Sequence, residues 1–335
     1  MLKEEQIRPS EVERKTHQLR LNDIKKHFLD NKGNINYKFF VEVRCPACDG
    51  DNYVIEFIKE EFNFRRCKNC NTLYISPRPN QERLLEYYKN SHSIEFFTKE
   101  ILERTAHVRK EKIFKPRAKK VISYLEKLDI SKGLFVEIGG GNGLFLEVMK
   151  TLNASFKRYL NIEPSKAGAL LTKKRGFNVI SDFVENVNGI KADCICAFEL
   201  IEHLFNPYKT CLKINNLLKK KGIFILTTPN IEGFDLVLLG CNSDNIVGPN
   251  HLNYFNPKSI EILLRKSGFS IINIETPGVL DVDIVYNRFI KDKNRIKDKF
   301  INFLFSKHPE VLPDFQKFLQ KNKLSSNMMV VAQKI

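Results

Sequence analysis

The run from Leu134 to Gly143, Leu-Phe-Val-Glu-Ile-Gly-Gly-Gly-Asn-Gly, constrains the fold of this chain more than any other stretch. Its first five residues are mostly apolar, as in a strand buried within a parallel sheet. Glycines then interrupt, and apolar residues return at helical spacing at Leu144, Phe145, Val148, Met149 and Leu152. Strand, glycine turn and helix make the first half of a βαβ unit. In an open α/β sheet, such a turn lies at the carboxyl edge, where a nucleotide-like ligand binds. Glycine suits the turn because a side chain would hold the ligand off the backbone and because positive φ is needed. A dinucleotide fingerprint would require glycine at position 144, where leucine stands, so the pattern is G-x-G-x-G. After a second strand-like run, Arg158 to Ile162, comes Glu163, a carboxylate placed to accept hydrogen bonds from two ribose hydroxyls.

The 335 residues suffice for roughly two domains. No apolar run reaches the ~20 residues of a membrane span, and Met-Leu-Lys-Glu-Glu-Gln at the start has no apolar signal region, so a cytoplasmic protein is expected. The formal charge of +16 raises the question of nucleic acid. The excess is spread evenly, +3 over residues 1–44, +4 over 45–131, +4 over 132–278 and +5 over 279–335, which reads as a solvated surface.

Cys45-Pro-Ala-Cys48 and Cys67-Lys-Asn-Cys70 are two C-x-x-C knuckles, a spacing that sets four thiolates around zinc. Asp49-Gly50 and Asn71 follow the second cysteines and tolerate the left-handed backbone that a knuckle requires. A closed four-cysteine site is structural, since it leaves no coordination position for substrate. The expected order is an N-terminal extension (1–40, with a helix near Val12 to Phe28), a zinc ribbon (41–79), a helical lid (80–130) and an α/β domain (131–335). Within the last, residues 283–324 read as a helical insertion before the final strand. Ser76-Pro-Arg-Pro-Asn80 reads as an extended linker, because proline removes a donor and restrains its predecessor. Past Glu163, strands are predicted at 177–180, 193–198, 222–227, 269–274 and 328–332, and helices at 166–174, 209–220 and 258–266.

Val136-Glu-Ile-Gly-Gly-Gly-Asn-Gly143 followed by Glu163 resembles the first motif and the ribose-binding acid of class I S-adenosylmethionine (SAM) methyltransferases. The resemblance implies a Rossmann-like seven-stranded sheet with helices on both faces. It implies SAM contacts at Glu137, Gly139, Gly140, Gly141, Gly143, Glu163, Asp182 and Phe198, with Asp182 beside adenine.

Phe198-Glu-Leu-Ile-Glu-His-Leu follows the fourth strand, and on a helical turn Glu199, Glu202 and His203 would project from one face. The run resembles the E-x-x-E-H motif of ubiquinone-type O-methyltransferases and of small-RNA 3′-terminal methyltransferases, with His251 at the place of a further downstream histidine. In one reading Glu199, Glu202, His203 and His251 bind Mg²⁺, which activates an acceptor hydroxyl. In the other, His203 or His251 is the general base and a glutamate orients it. The layout of ribbon, Ser-Pro-Arg-Pro, G-x-G-x-G, E-H-L and His-Leu-Asn-Tyr-Phe resembles zinc-ribbon methyltransferases of sugar and polysaccharide biosynthesis, which implies a sugar or glycan acceptor. The alternatives are a metal-dependent RNA 2′-O-methyltransferase and a non-catalytic assembly partner.

Overall fold

A computed structural model describes residues 2–152, 156–292 and 296–335. Met1 of the expected extension and residues 293–295 of the expected insertion lie outside the described residues. The chain opens with α1 (Glu4–Ile7) and α2 (Ser10–Phe28), then β1 (Phe40–Val41). The ribbon follows as β2 (Tyr53–Lys59), β3 (Phe62–Cys67) and β4 (Leu73–Ile75), and β5 (Arg78–Pro79) returns antiparallel to β1. Next come α3 (Gln81–Asn90), capped by the Asn80 side chain, α4 (His92–Phe96), α5 (Ala106–Arg109) and α6 (Lys115–Lys127). Two π-helical stretches, Phe97–Glu103 and Lys110–Phe114, flank α5.

From here strands and helices alternate: β6 (Leu134–Ile138), α7 (Leu144–Thr151), β7 (Arg158–Ile162), α8 (Lys166–Lys174), β8 (Asn178–Ile180), β9 (Ala192–Phe198), α9 (Pro207–Leu217) and β10 (Leu218–Pro229). Then follow α10 (Phe234–Leu239), β11 (Asn253–Tyr254), α11 (Pro257–Lys266), β12 (Phe269–Glu275), α12 (Asp281–Lys291), α13 (Lys299–Lys307), α14 (Leu312–Lys321) and β13 (Asn327–Lys334). Lys219 and Lys220, expected in a helix, belong instead to β10. That strand starts at Leu218, paired with Ala192, and bulges before resuming its register at Ile223.

Among the described residues the main sheet has seven strands in the order β12-β13-β10-β9-β6-β7-β8. All neighbours are parallel except β13, which runs antiparallel to both β10 and β12. Strand β9 is apolar apart from Asp193 and buried almost throughout, as a central parallel strand covered on both faces must be. One apolar cluster fills one face with Val136, Ile195, Phe224 and Leu263, and a second fills the other with Phe135, Val148, Cys194 and Ile225. Burying one such side chain stabilises the fold by roughly 1.5–3 kcal/mol.

The ribbon is not a free appendage. Its sheet has the order β11-β4-β3-β2, so its edge strand is contributed by residues 253–254, next to His251. No helix among the described residues is long and apolar enough to cross a membrane.

Candidate active site

The carboxyl edge of β6 and β9 opens into a cleft of about 2550 Å³, walled by the glycine turn, α1, α2, α3, the α5 region and the loops after β7, β9 and β10. At its floor, Gly139 and Gly141 take positive φ. Gly143, expected to contact SAM, also takes positive φ but does not line the cleft; a Cβ there would lie 2.8 Å from Thr172 Oγ1, so it is glycine for packing against α8. A Cβ on Gly141 would meet nothing within 4 Å, so the backbone there is open to a ligand. Gly140 is glycine for another reason: its Cβ would lie 2.6 Å from Glu137 Oε2 and 2.7 Å from Asn161 Oδ1. Two residues unrecognised in the sequence hold this turn. Asn161 on β7 accepts a bond from Gly140 N at 3.2 Å, and Thr172 on α8 donates to the Gly141 carbonyl at 2.9 Å. The available signal was an asparagine near the end of the strand-like run Arg158 to Ile162; the structure buries it fully.

Glu163 Oε2 accepts from Gly141 N and Oε1 from Ser165 N, each at 2.8 Å, which fixes the carboxylate and leaves further lone pairs for hydroxyl donors. Burial raises its pKa against those bonds. Glu137 is buried, its Oε2 has no partner, and burial pushes its pKa up to about 8 although Arg117 opposes the shift. The Arg117 guanidinium stacks over Phe198, 4.6 Å from the ring centroid. An unpartnered carboxylate oxygen, an open glycine backbone and a fixed second carboxylate suit the ammonium, chain and ribose diol of SAM. Asp182 is placed otherwise than expected. Its Oδ1 accepts from Phe183 N and Asn186 Nδ2, holding its own turn, and Phe183 and Val184 supply the cleft wall there.

The second constellation departs from the expected helical face. Glu199 takes φ +51° directly after β9, and only a 3₁₀ turn, Ile201–His203, follows. Glu199 therefore swings away to accept from Thr227 Oγ1 at 2.6 Å and Asn327 Nδ2 at 2.9 Å, with Arg117 at 3.6 Å. The four-ligand set is corrected on this point: Glu202, His203 and His251 converge, with one ligand atom from each within 4.8 Å of the others, and Glu199 does not join them.

Glu202 is fully buried; Oε2 accepts from Thr228 Oγ1 at 2.9 Å, and Oε1 has no partner. His203 Nδ1 stands 2.6 Å from the Asn250 carbonyl, which can only accept, so Nδ1 carries the proton and Nε2 is the free base. That Nε2 lies 3.9 Å from Glu202 Oε1. The His251 ring packs edge-on at 4.7 Å, with its own Nδ1 directed at the Asn245 carbonyl at 3.2 Å. Burial lowers the pKa of both histidines and raises that of Glu202.

This loop pair is braced from the linker. Arg78, 1% exposed, donates through Nε to the Ile75 carbonyl at 3.0 Å and through Nη1 to the Phe205 carbonyl at 3.1 Å. Its Nη2 reaches the Leu252 carbonyl at 3.4 Å. From α3, Tyr88 donates to the Asn250 carbonyl at 3.1 Å and Tyr87 to Asn250 Oδ1 at 2.5 Å. At the knuckles, Asp49 and Asn71 take positive φ. The pairs Cys45–Cys70 and Cys48–Cys67 have sulfurs 3.5 Å apart. Metal–sulfur bonds of ~2.3 Å would set tetrahedral sulfurs about 3.8 Å apart, so the four thiols are compatible with zinc.

A parallel sheet with one antiparallel strand next to its edge, a glycine turn after β6 and an acid after β7 together define a class I SAM-dependent methyltransferase. Residues 107–274 match the family described as methyltransferase domain, and the chain belongs to that family. It is also similar to the mitochondrial ubiquinone biosynthesis O-methyltransferase of Dictyostelium discoideum, with 21% identity over 193 residues, 50% of this chain and 57% of that one. The chain thus matches little more than half the length of this curated relative. Similar solved structures include a SAM-dependent methyltransferase from Clostridium acetobutylicum, at 13% identity, TM-score 0.45, covering 69% of this chain and 98% of that one. Another is the plantazolicin methyltransferase BpumL in complex with SAH, at 13% identity, TM-score 0.49, covering 75% and 93%.

Proposed function

We propose that the protein moves a methyl group from SAM to a hydroxyl or carbon of a small molecule, a sugar or glycan unit, and that its ribbon holds a structural zinc ion. The observation that carries this reading is the free Nε2 of His203 in the cleft that also holds the glycine turn and Glu163. SAM, when bound, supplies a methyl made electrophilic by its sulfonium. Glu137 would hold its ammonium and Glu163 its ribose, while Gly139 and Gly141 let it lie against the backbone. The protein then has to align the acceptor and remove one proton. His203, kept neutral by burial, takes that proton at Nε2, with Glu202 Oε1 3.9 Å away. The sugar acceptor rests on the motif resemblance described above.

His203→Gln should lower transfer by roughly 10²–10⁴-fold with SAH (S-adenosylhomocysteine) affinity held within about twofold, as measured by labelled-methyl incorporation and calorimetry. Because burial lowers the His203 pKa from 6.5, the acid limb of kcat/KM should have its midpoint below that value. A midpoint at or above it would remove His203 as the base.

A second reading is favoured by the partnerless Glu202 Oε1. Glu202, His203 and His251 would hold a divalent cation such as Mg²⁺, as in a metal-dependent RNA methyltransferase. Loss of transfer on EDTA treatment, with ribbon zinc retained, would select it.

A further inference from the structure

Five guanidiniums that are partly or fully buried line the cleft, and three of them have carboxylate partners. Arg20 is paired with Glu60, Arg117 with Glu199 and Arg288 with Asp244. Arg8 and Arg109 have none within ion-pair distance among the described residues. Their contacts are neutral. Arg8 Nη1 donates to Asn245 Oδ1 at 2.5 Å, while Arg109 donates through Nε to Thr105 Oγ1 at 2.8 Å and through Nη2 to the Ile7 carbonyl at 2.9 Å. The last bond ends on the carbonyl joined to Arg8 N, so the two side chains arise side by side from α5 and the end of α1. Arg8 is joined to the histidine pair: Asn245, which receives Arg8, offers its carbonyl to His251 Nδ1, and the His251 ring packs against that of the proposed base, His203.

Two partly buried cations with no carboxylate at ion-pair distance disfavour each other. Burial, then Arg8 and Arg117, depress the Arg109 pKa to about 10, which for a guanidinium marks an uncompensated site. Glu13 faces Arg8 from α2 and Glu199 faces Arg109, both beyond contact distance, and burial raises the Glu13 pKa. An anion entering the cleft would find two forked donors and displace no ion pair.

We propose that the acceptor carries an anionic group, a carboxylate or a phosphoryl, and that Arg8 and Arg109 receive it beside His203 and His251. This rests on the cleft being the methyltransferase site. It assigns the N-terminal segment to acceptor recognition and identifies the acceptor as an acid or a phosphorylated molecule rather than a neutral sugar.

The test is calorimetric titration of the full chain, saturated with SAH, by inorganic pyrophosphate and separately by malonate. One of the two should bind, which distinguishes a phosphoryl from a carboxylate group. Its affinity should fall at least tenfold in Arg8→Gln and in Arg109→Gln, be largely kept in Arg109→Lys, and leave SAH affinity within twofold. Arg8→Gln serves as the independent probe, because Arg109 also ties α5 to α1. SAH binding with neither anion bound, or anion binding indifferent to both substitutions, would overturn the anion site and leave the methyltransferase reading standing. Failure of the wild-type chain to bind SAH would overturn both.

Discussion

Glu137 sets folding stability against ligand binding. Its pKa rises from 4.5 in the unfolded chain to about 8 in the fold, so the folded state binds more protons across that window. Its contribution is therefore present below pH 4.5 and is lost as pH rises through 8. In the ligand-free protein, Glu137→Gln should raise Tm at pH 8 and leave it almost unchanged at pH 4.5, while weakening SAH binding at least tenfold. A lower Tm at both pH values would contradict this account of the buried carboxylate. Glu163 stood out in the sequence because it directly follows the second strand-like run, whereas Glu137 entered as a site residue only through the resemblance of its motif. Glu199 could not be placed from the sequence: i, i+3, i+4 spacing converges only on a helix, and its left-handed backbone breaks that geometry.

The segment Ser76 to Pro79 shows what an element can conceal. Its prolines mark extended chain, but its arginine acts 127 residues away on Phe205 and 174 residues away on Leu252. Nothing local in the sequence encodes those partners. Arg78→Ala would leave buried carbonyls unsatisfied and should destabilise the fold by about 2–4 kcal/mol. Arg78→Lys keeps the charge but cannot make the three-way contact. It should lower kcat while the KM for SAM stays near wild type, because it loosens the His203 and His251 loops and not the glycine turn. An equal rise in the KM for SAM would argue for a general loss of structure instead. The extended helix α2, by contrast, was visible as a helix, but its place in the cleft wall was not, since that depends on packing against distant elements.

At the scale of the whole molecule, ribbon and sheet domain are one packed body. Strand β11 completes the ribbon sheet, and Asn256 Nδ2 donates to the Cys70 carbonyl at 2.9 Å, five residues beyond His251. Metal removal should therefore lower both Tm and methyl transfer even though a four-thiolate site has no open position for chemistry. The purified protein should carry about one equivalent of zinc. The βα alternation, the cysteine knuckles and the late helical segment were readable as periodicity and spacing. The joining of ribbon to active site was not, because it rests on a two-residue strand.

The most direct test is transfer of labelled methyl from SAM into two fractions of a source-cell extract, small molecules with glycans and total RNA. Wild type and His203→Gln would be run side by side, with EDTA added once ribbon zinc has been verified. Label in the small-molecule and glycan fraction, insensitive to EDTA and absent with His203→Gln, is expected. Label confined to RNA and abolished by EDTA, or no label in either fraction, would contradict the assignment of His203 as the base of a small-molecule methyltransferase.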